Sequence, residues 1–166
     1  MLDTYLVALQ QSAFSTWVQE TAYPVVITAH SIGLATLVGL LVIIDLRVIG
    51  FGKGMPLPAL RKLMIVVWSG FVLNFISGMM LFSIDAKKDF HSTLFRIKIL
   101  SIVVGLVFGW LIDKSVLTQE LKFSSPDARA PGRARVFAAA SLLCWVTAII
   151  SGRLLAYFTY GDVGIE

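Results

Sequence analysis

The stretch YPVVITAHSIGLATLVGLLVII, residues 23–44, runs on without a single charged side chain. An α-helix rises ~1.5 Å per residue, so about 20 apolar residues cross the ~30 Å hydrocarbon core of a bilayer. Three more predominantly apolar stretches of similar length follow, at residues 64–84, 94–112 and 136–158, with Arg96, Lys98 and Arg153 as their only charges. Together they use up most of the 166 residues, and no remainder is long enough for a separate soluble domain. The sequence therefore predicts an all-α integral membrane protein, a single membrane domain over residues 1–166 folded as a four-helix bundle. Composition agrees: 57% of residues are hydrophobic and 14% charged, mean hydropathy is +0.84, and soluble domains carry about 25% charged residues.

The charges fix an orientation. Arg47, Lys53, Arg61 and Lys62 lie between spans one and two, and Lys114, Lys122, Arg129, Arg133 and Arg135 between spans three and four. The terminal segments carry only acids: Asp3, Glu20, Asp162 and Glu166. The positive-inside rule then predicts a bacterial inner-membrane protein with both basic loops cytoplasmic and both termini periplasmic. The connection 85–93 balances Lys87 and Lys88 against Asp85 and Asp89 and is expected to face outward. The net charge of +4 belongs to membrane loops, which argues against nucleic acid as a partner. The first basic residue is Arg47, so a cleavable signal pattern is not expected. One cysteine, Cys144 inside span four, rules out an internal disulfide and a CxxC clip.

Residues 2–20 space their apolar side chains as a short amphipathic helix lying in the outer interface, with Trp17 and Tyr23 as headgroup anchors. Pro24 falls in the first turn of span one, where a missing N–H costs little. GFGKGMPLP (50–58) and SSPDARAPG (124–132) cannot continue a helix and form loops. Ser92 or Thr93 is the expected N-cap of span three. Asp45 and Arg47 are expected to anchor the inner end of span one at the headgroups.

Two spans carry stripes of small and polar residues. Lys98, Ser101, Gly105 and Gly109 share one face of span three, and GLVFG (105–109) is a GxxxG pattern. Such a face packs helices closely in lipid, either within the bundle or against a second protomer or membrane-complex partner. Gly70, Asn74, Ser77 and Gly78 likewise share a face of span two.

Counting along each span brings His30, Ser77, Lys98 and Arg153 to one layer, roughly 6–10 Å below the outer surface at ~1.5 Å per residue. Tyr157 stands one turn further out and Asn74 one turn deeper. Each residue has a bland alternative. Lys98 and Arg153 can snorkel to the headgroups, His30 can hydrogen-bond a neighbouring carbonyl, and Met79 and Met80 can be packing residues. As a functional set, one imidazole with two cations and surrounding aromatics suits a b-type haem. His30 would ligate iron, Lys98 and Arg153 would meet propionates, and Asn74, Ser77 and Tyr157 would complete the cofactor-binding set. His91 lies too near the surface to be the second axial ligand, which leaves Met80 or an open position. Copper is the alternative metal, held softly by His30 with Met79 and Met80, although nearby cations work against it. A third reading has no cofactor, the chain serving as an accessory subunit that docks through Gly105, Gly109 and the N-terminal helix.

HSIGLATLVG (30–39) with DLRVIG (45–50), WSGF (68–71), SGMMLF (77–82), FRIK (95–98) and SGRLLAYF (151–158) together resemble a family of small bacterial four-span inner-membrane proteins of unknown function. A histidine in span one and a lysine in span three are also distantly similar to two better-known groups. These are CopD-type copper-resistance membrane proteins and HemJ-type protoporphyrinogen oxidases, and the latter resemblance implies a b haem at His30 and an important Lys98. The chain lacks the further histidines and methionines of a copper relay and is half the CopD-type length. It also lacks the wider HemJ pattern, so the oxidase activity is not carried over.

Overall fold

The computed structural model describes residues 1–52, 54–119, 125 and 128–161. Lys53 and Lys122 of the basic loops, Asp162 and Glu166, and Ser124, Pro126 and Asp127 of the 124–132 turn segment lie outside the described residues. Helix α1 spans Leu2–Gln10 and α2 spans Ala13–Trp17. The four long helices are α3 (Tyr23–Ile49), α4 (Leu63–Ile84), α6 (Thr93–Ile112) and α7 (Gly132–Gly161), with a short α5 (Ala86–His91) between α4 and α6. All four are long and apolar enough to cross a membrane. The chain is a multi-span all-α membrane protein with short N-terminal helices.

The N-terminal region is broken where the sequence suggested one helix. Ser12 is extended and its hydroxyl accepts from the Ser15 amide (3.1 Å), capping a new helix. From Ala13 the helix then runs without interruption into span one. It meets Pro24, whose missing N–H and bulky ring disturb the preceding turn. The chain absorbs this by widening into a π turn at Val18–Ala22. These N-terminal helices also dock on the bundle: Ser15 is buried and donates to the Ser83 carbonyl at 2.9 Å, and His91 of α5 meets Asp3 at 2.8 Å. Ser92 does stand at the N-cap of α6, in extended conformation, though its side chain makes no capping bond.

Packing follows the glycines. Helices α3 and α4 pair closely, α6 and α7 pair closely, and the two hairpins join along α3 and α7. A Cβ on Gly33 would stand 2.7 Å from the Asn74 backbone nitrogen, and one on Gly70 would stand 3.0 Å from that of Leu37. The GxxxG face of α6 is consumed inside the chain. Gly105 is buried against Trp145 and Cys144 of α7, and Gly109 lies under Leu41 of α3. Helices α4 and α6 meet at one end through stacked rings, Phe82 and Phe95, with centroids 5.3 Å apart.

The hydrophobic core is one-sided. Leu37, Leu41, Ile44 and Val48 of α3 pack with Leu57 and Leu60, with Ile112, Val116 and Leu117, and with Ala134, Ala138 and Trp145. All of these lie toward the end of the bundle that carries the 50–58 and 124–132 loops, here the loop end. At the opposite, terminal end the buried residues are mostly small or polar: Ser15, Ser77, Ser83, Ala86, Ala148 and Ser151.

Asp45 and Arg47 differ from expectation. Both are buried, at 0% and 6% exposure, rather than at the headgroups. Arg47 donates through Nε to the Met55 carbonyl (2.9 Å) and through Nη2 to that of Ala128 (3.5 Å), tying the two loops to α3. Asp45 sits beside Ser141 of α7, and neither carboxylate oxygen has a hydrogen-bond partner among the described residues.

Gly33→Ala is expected to destabilise the fold by about 1–3 kcal/mol, the usual range for overpacking a close contact. Gly39, where a Cβ meets nothing within 4 Å, should accept alanine without loss. Thermal melting of both variants in detergent checks the contrast.

Candidate functional site

The terminal half of the bundle collects the polar residues that the sequence singles out. Helix α3 projects His30 toward α4, where Asn74, Ser77 and Gly78 form one stripe at helical spacing. The absence of a side chain at Gly78 lets the imidazole lie on the α4 backbone: a Cβ there would be 3.2 Å from His30 Cε1. His30 Nδ1 lies 3.1 Å from the Asn74 carbonyl and 3.1 Å from Ser77 Oγ. Asn74 Nδ2 donates to the His30 carbonyl at 2.9 Å.

These partners determine the tautomer. A carbonyl oxygen can only accept, so Nδ1 must carry the proton. Ser77 gives its own proton to the carbonyl of Leu73 (2.7 Å) or Asn74 (3.1 Å), so its oxygen faces the imidazole as an acceptor. The 3.4 Å approach of Asn74 Nδ2 to His30 Nδ1 is then donor against donor and holds nothing together. Nε2 is left with its lone pair and no hydrogen-bond partner among the described residues. It is not among the sealed, partnerless polar atoms, so it opens onto accessible space.

Lys98 reaches the same region from α6. Its chain lies across Gly152 of α7, where a Cβ would be 3.4 Å from both Cδ and Cε. Its ammonium is close enough for its charge to bear on His30 on one side and Asp89 on the other. No hydrogen-bond acceptor for its Nζ is present among the described residues, and Nζ too is unsealed. Spans one and two thus join an imidazole to its supports, and span three brings an ammonium into the same end of the bundle, against α7.

The other expected members lie elsewhere. Arg153 is exposed and turns along its own helix onto the Tyr157 ring, 5.6 Å from the centroid. Tyr157 is itself exposed, so this pair faces outward as an interfacial anchor does. Met79 is exposed on the outside of α4. Met80 lines a separate apolar groove of about 490 Å³ with Trp17, Val26, Ala29 and Ser77, on a different face of α4 from Gly78. Among the described residues no group of three or more His, Cys, Asp or Glu side chains could hold a metal ion.

Sequence reasoning put Gly78 on the face of Asn74 and Ser77 but missed Asp89 and Gly152 as parts of this arrangement. The glycines act by what they leave out, and the charge of Asp89 bears on Lys98 from α5, which packs against α6. Burial pushes the Asp89 carboxyl up to about 6, aided by the neighbouring Asp85 and opposed by Lys98 and Lys88. These features define a small multi-span membrane protein with a cluster of polar side chains at one end of its bundle. No protein-family model, curated protein or solved structure matches the chain.

Because Asp89 holds its proton more tightly in the folded chain than at its ordinary 3.8, the unfolded state ionises first. Its contribution to stability is full below pH ~4 and is lost as pH rises through about 6. Melting curves between pH 4 and 7 should show this decline, and Asp89→Asn should remove roughly 1–2 kcal/mol of it, allowing for partial exposure.

Proposed function

We propose that this protein binds a b-type haem at the terminal end of its bundle and serves in electron transfer or redox chemistry there. The observation that carries the proposal is the fixed tautomer of His30: Nδ1–H is held by a backbone carbonyl, and the Nε2 lone pair stands open in a membrane interior. Axial histidines are oriented in this way, with the far nitrogen donating to a carbonyl or carboxylate so that the near one binds metal. Lys98 supplies the cation for a propionate, and Asn74 and Ser77 keep the imidazole from turning. The bound haem would supply a one-electron couple, whose potential the protein tunes through the axial ligand, hydrogen bonding and burial.

Arg153 and Tyr157, turned outward, and Met80, on another face of α4, stand outside this set, so His30 is the single protein ligand. Copper finds less support, because Met79 is exposed on the outside of α4 and Met80 lines an apolar groove. The basic loops favour an inner-membrane location with both termini periplasmic, which puts the haem near the periplasmic side. The same features suit the small bacterial inner-membrane family that the sequence resembles.

A second reading keeps its own observation. His30, Asn74 and Ser77 bond one another directly, so they also serve as a clamp between α3 and α4 in a cofactor-free accessory subunit.

The visible spectrum of protein expressed with haem supply separates the two. The haem reading expects a Soret band that disappears in His30→Ala and a shifted midpoint potential in Lys98→Met. Colourless protein, or a Soret band untouched by His30→Ala, leaves the clamp.

A further inference from the structure

The loop end of the bundle holds a second polar site, independent of the haem reading. A cavity of about 170 Å³ opens where α3 ends, lined by Arg47 and Gly50, by Arg129 in the segment leading into α7, and by Arg135 in the first turn of α7. The remaining lining is apolar or backbone, and no acidic residue contributes to it among the described residues. Three guanidinium groups thus surround one small space.

Each arginine is held differently. Arg47 is buried and fixed by the carbonyls of Met55 and Ala128. Arg135 is half-buried and donates through Nε to the Ala130 carbonyl at 3.1 Å. Its two terminal nitrogens have no acceptor among the described residues. Arg129 is exposed at the rim. Like charges converging on a partly desolvated cavity repel, and guanidinium forks match the oxygens of a phosphate in shape as well as charge. Helix α7 also begins here, and its N-terminal dipole adds to the positive field. At ~30 Å³ per water the cavity has room for about five waters, enough for a tetrahedral phosphate group.

We propose that this pocket binds a phosphate group, carried either by the headgroup of an anionic phospholipid or by a small free phosphate. The loops that form it are the ones expected to face the cytoplasmic leaflet, where anionic headgroups gather against basic pockets between helices.

The test uses the full chain in nanodiscs of phosphatidylcholine or phosphatidylglycerol, with and without inorganic phosphate, and reads the melting temperature. Binding should raise it by about 3 °C at tenfold excess over the dissociation constant. A rise in phosphatidylglycerol alone assigns a lipid headgroup, and a rise with inorganic phosphate in phosphatidylcholine assigns a free phosphate. The rise should vanish in the double variant Arg129→Gln, Arg135→Gln. It should persist in Arg61→Gln, Lys62→Gln, which removes the same charge from the neighbouring turn. Arg129→Gln alone, at an exposed side chain, should still weaken the rise if the double variant does not fold. The absence of any rise in the unaltered chain overturns the proposal. So does equal loss in both double variants, because diffuse surface charge then accounts for the effect.

Discussion

The close approach of α3 and α4 governs the rest of the molecule. Lipid tails are as apolar as leucine, so in a bilayer two helices gain little by hiding apolar surface from each other. They pair through van der Waals contact and hydrogen bonds, both of which need near-touching backbones. Gly33 and Gly70 allow that contact, and Gly78 extends it so that one edge of an imidazole comes against α4. Once the backbones are this near, Asn74 can reach the His30 carbonyl and His30 can reach back to Asn74. The polar cluster is a consequence of the glycine spacing.

The same economy explains why the two ends differ. Large side chains from all four spans interlock at the loop end, and the arginine that ties both loops to α3 is buried there. The terminal end replaces that packing with serines, alanines and glycines, a stacked phenylalanine pair and the docked N-terminal helices. Polar groups that would disrupt a dense core are tolerated where the core gives out.

Much of the fold was legible in the sequence because bilayer thickness fixes the length of an apolar run, and the four spans match their expected positions within a few residues. Helical spacing also brought His30, Asn74, Ser77 and Lys98 toward one region. Side-chain direction was less readable. Lys98 and Arg153 look equivalent by depth, yet Lys98 lies across Gly152 toward the interior and Arg153 turns onto Tyr157 outside. Counting residues gives height along the membrane normal but not rotation about each helix axis. Asp45 and Arg47 were misread for a related reason: their place near a span end suggested headgroups, and the loops fold over them instead. The break at Ser12 was hidden because the amphipathic spacing continues across it.

A bundle bolted at one end is a pair of tongs. At the other, the hairpin of α3 and α4 meets that of α6 and α7 through two stacked rings and a docked N-terminal arm.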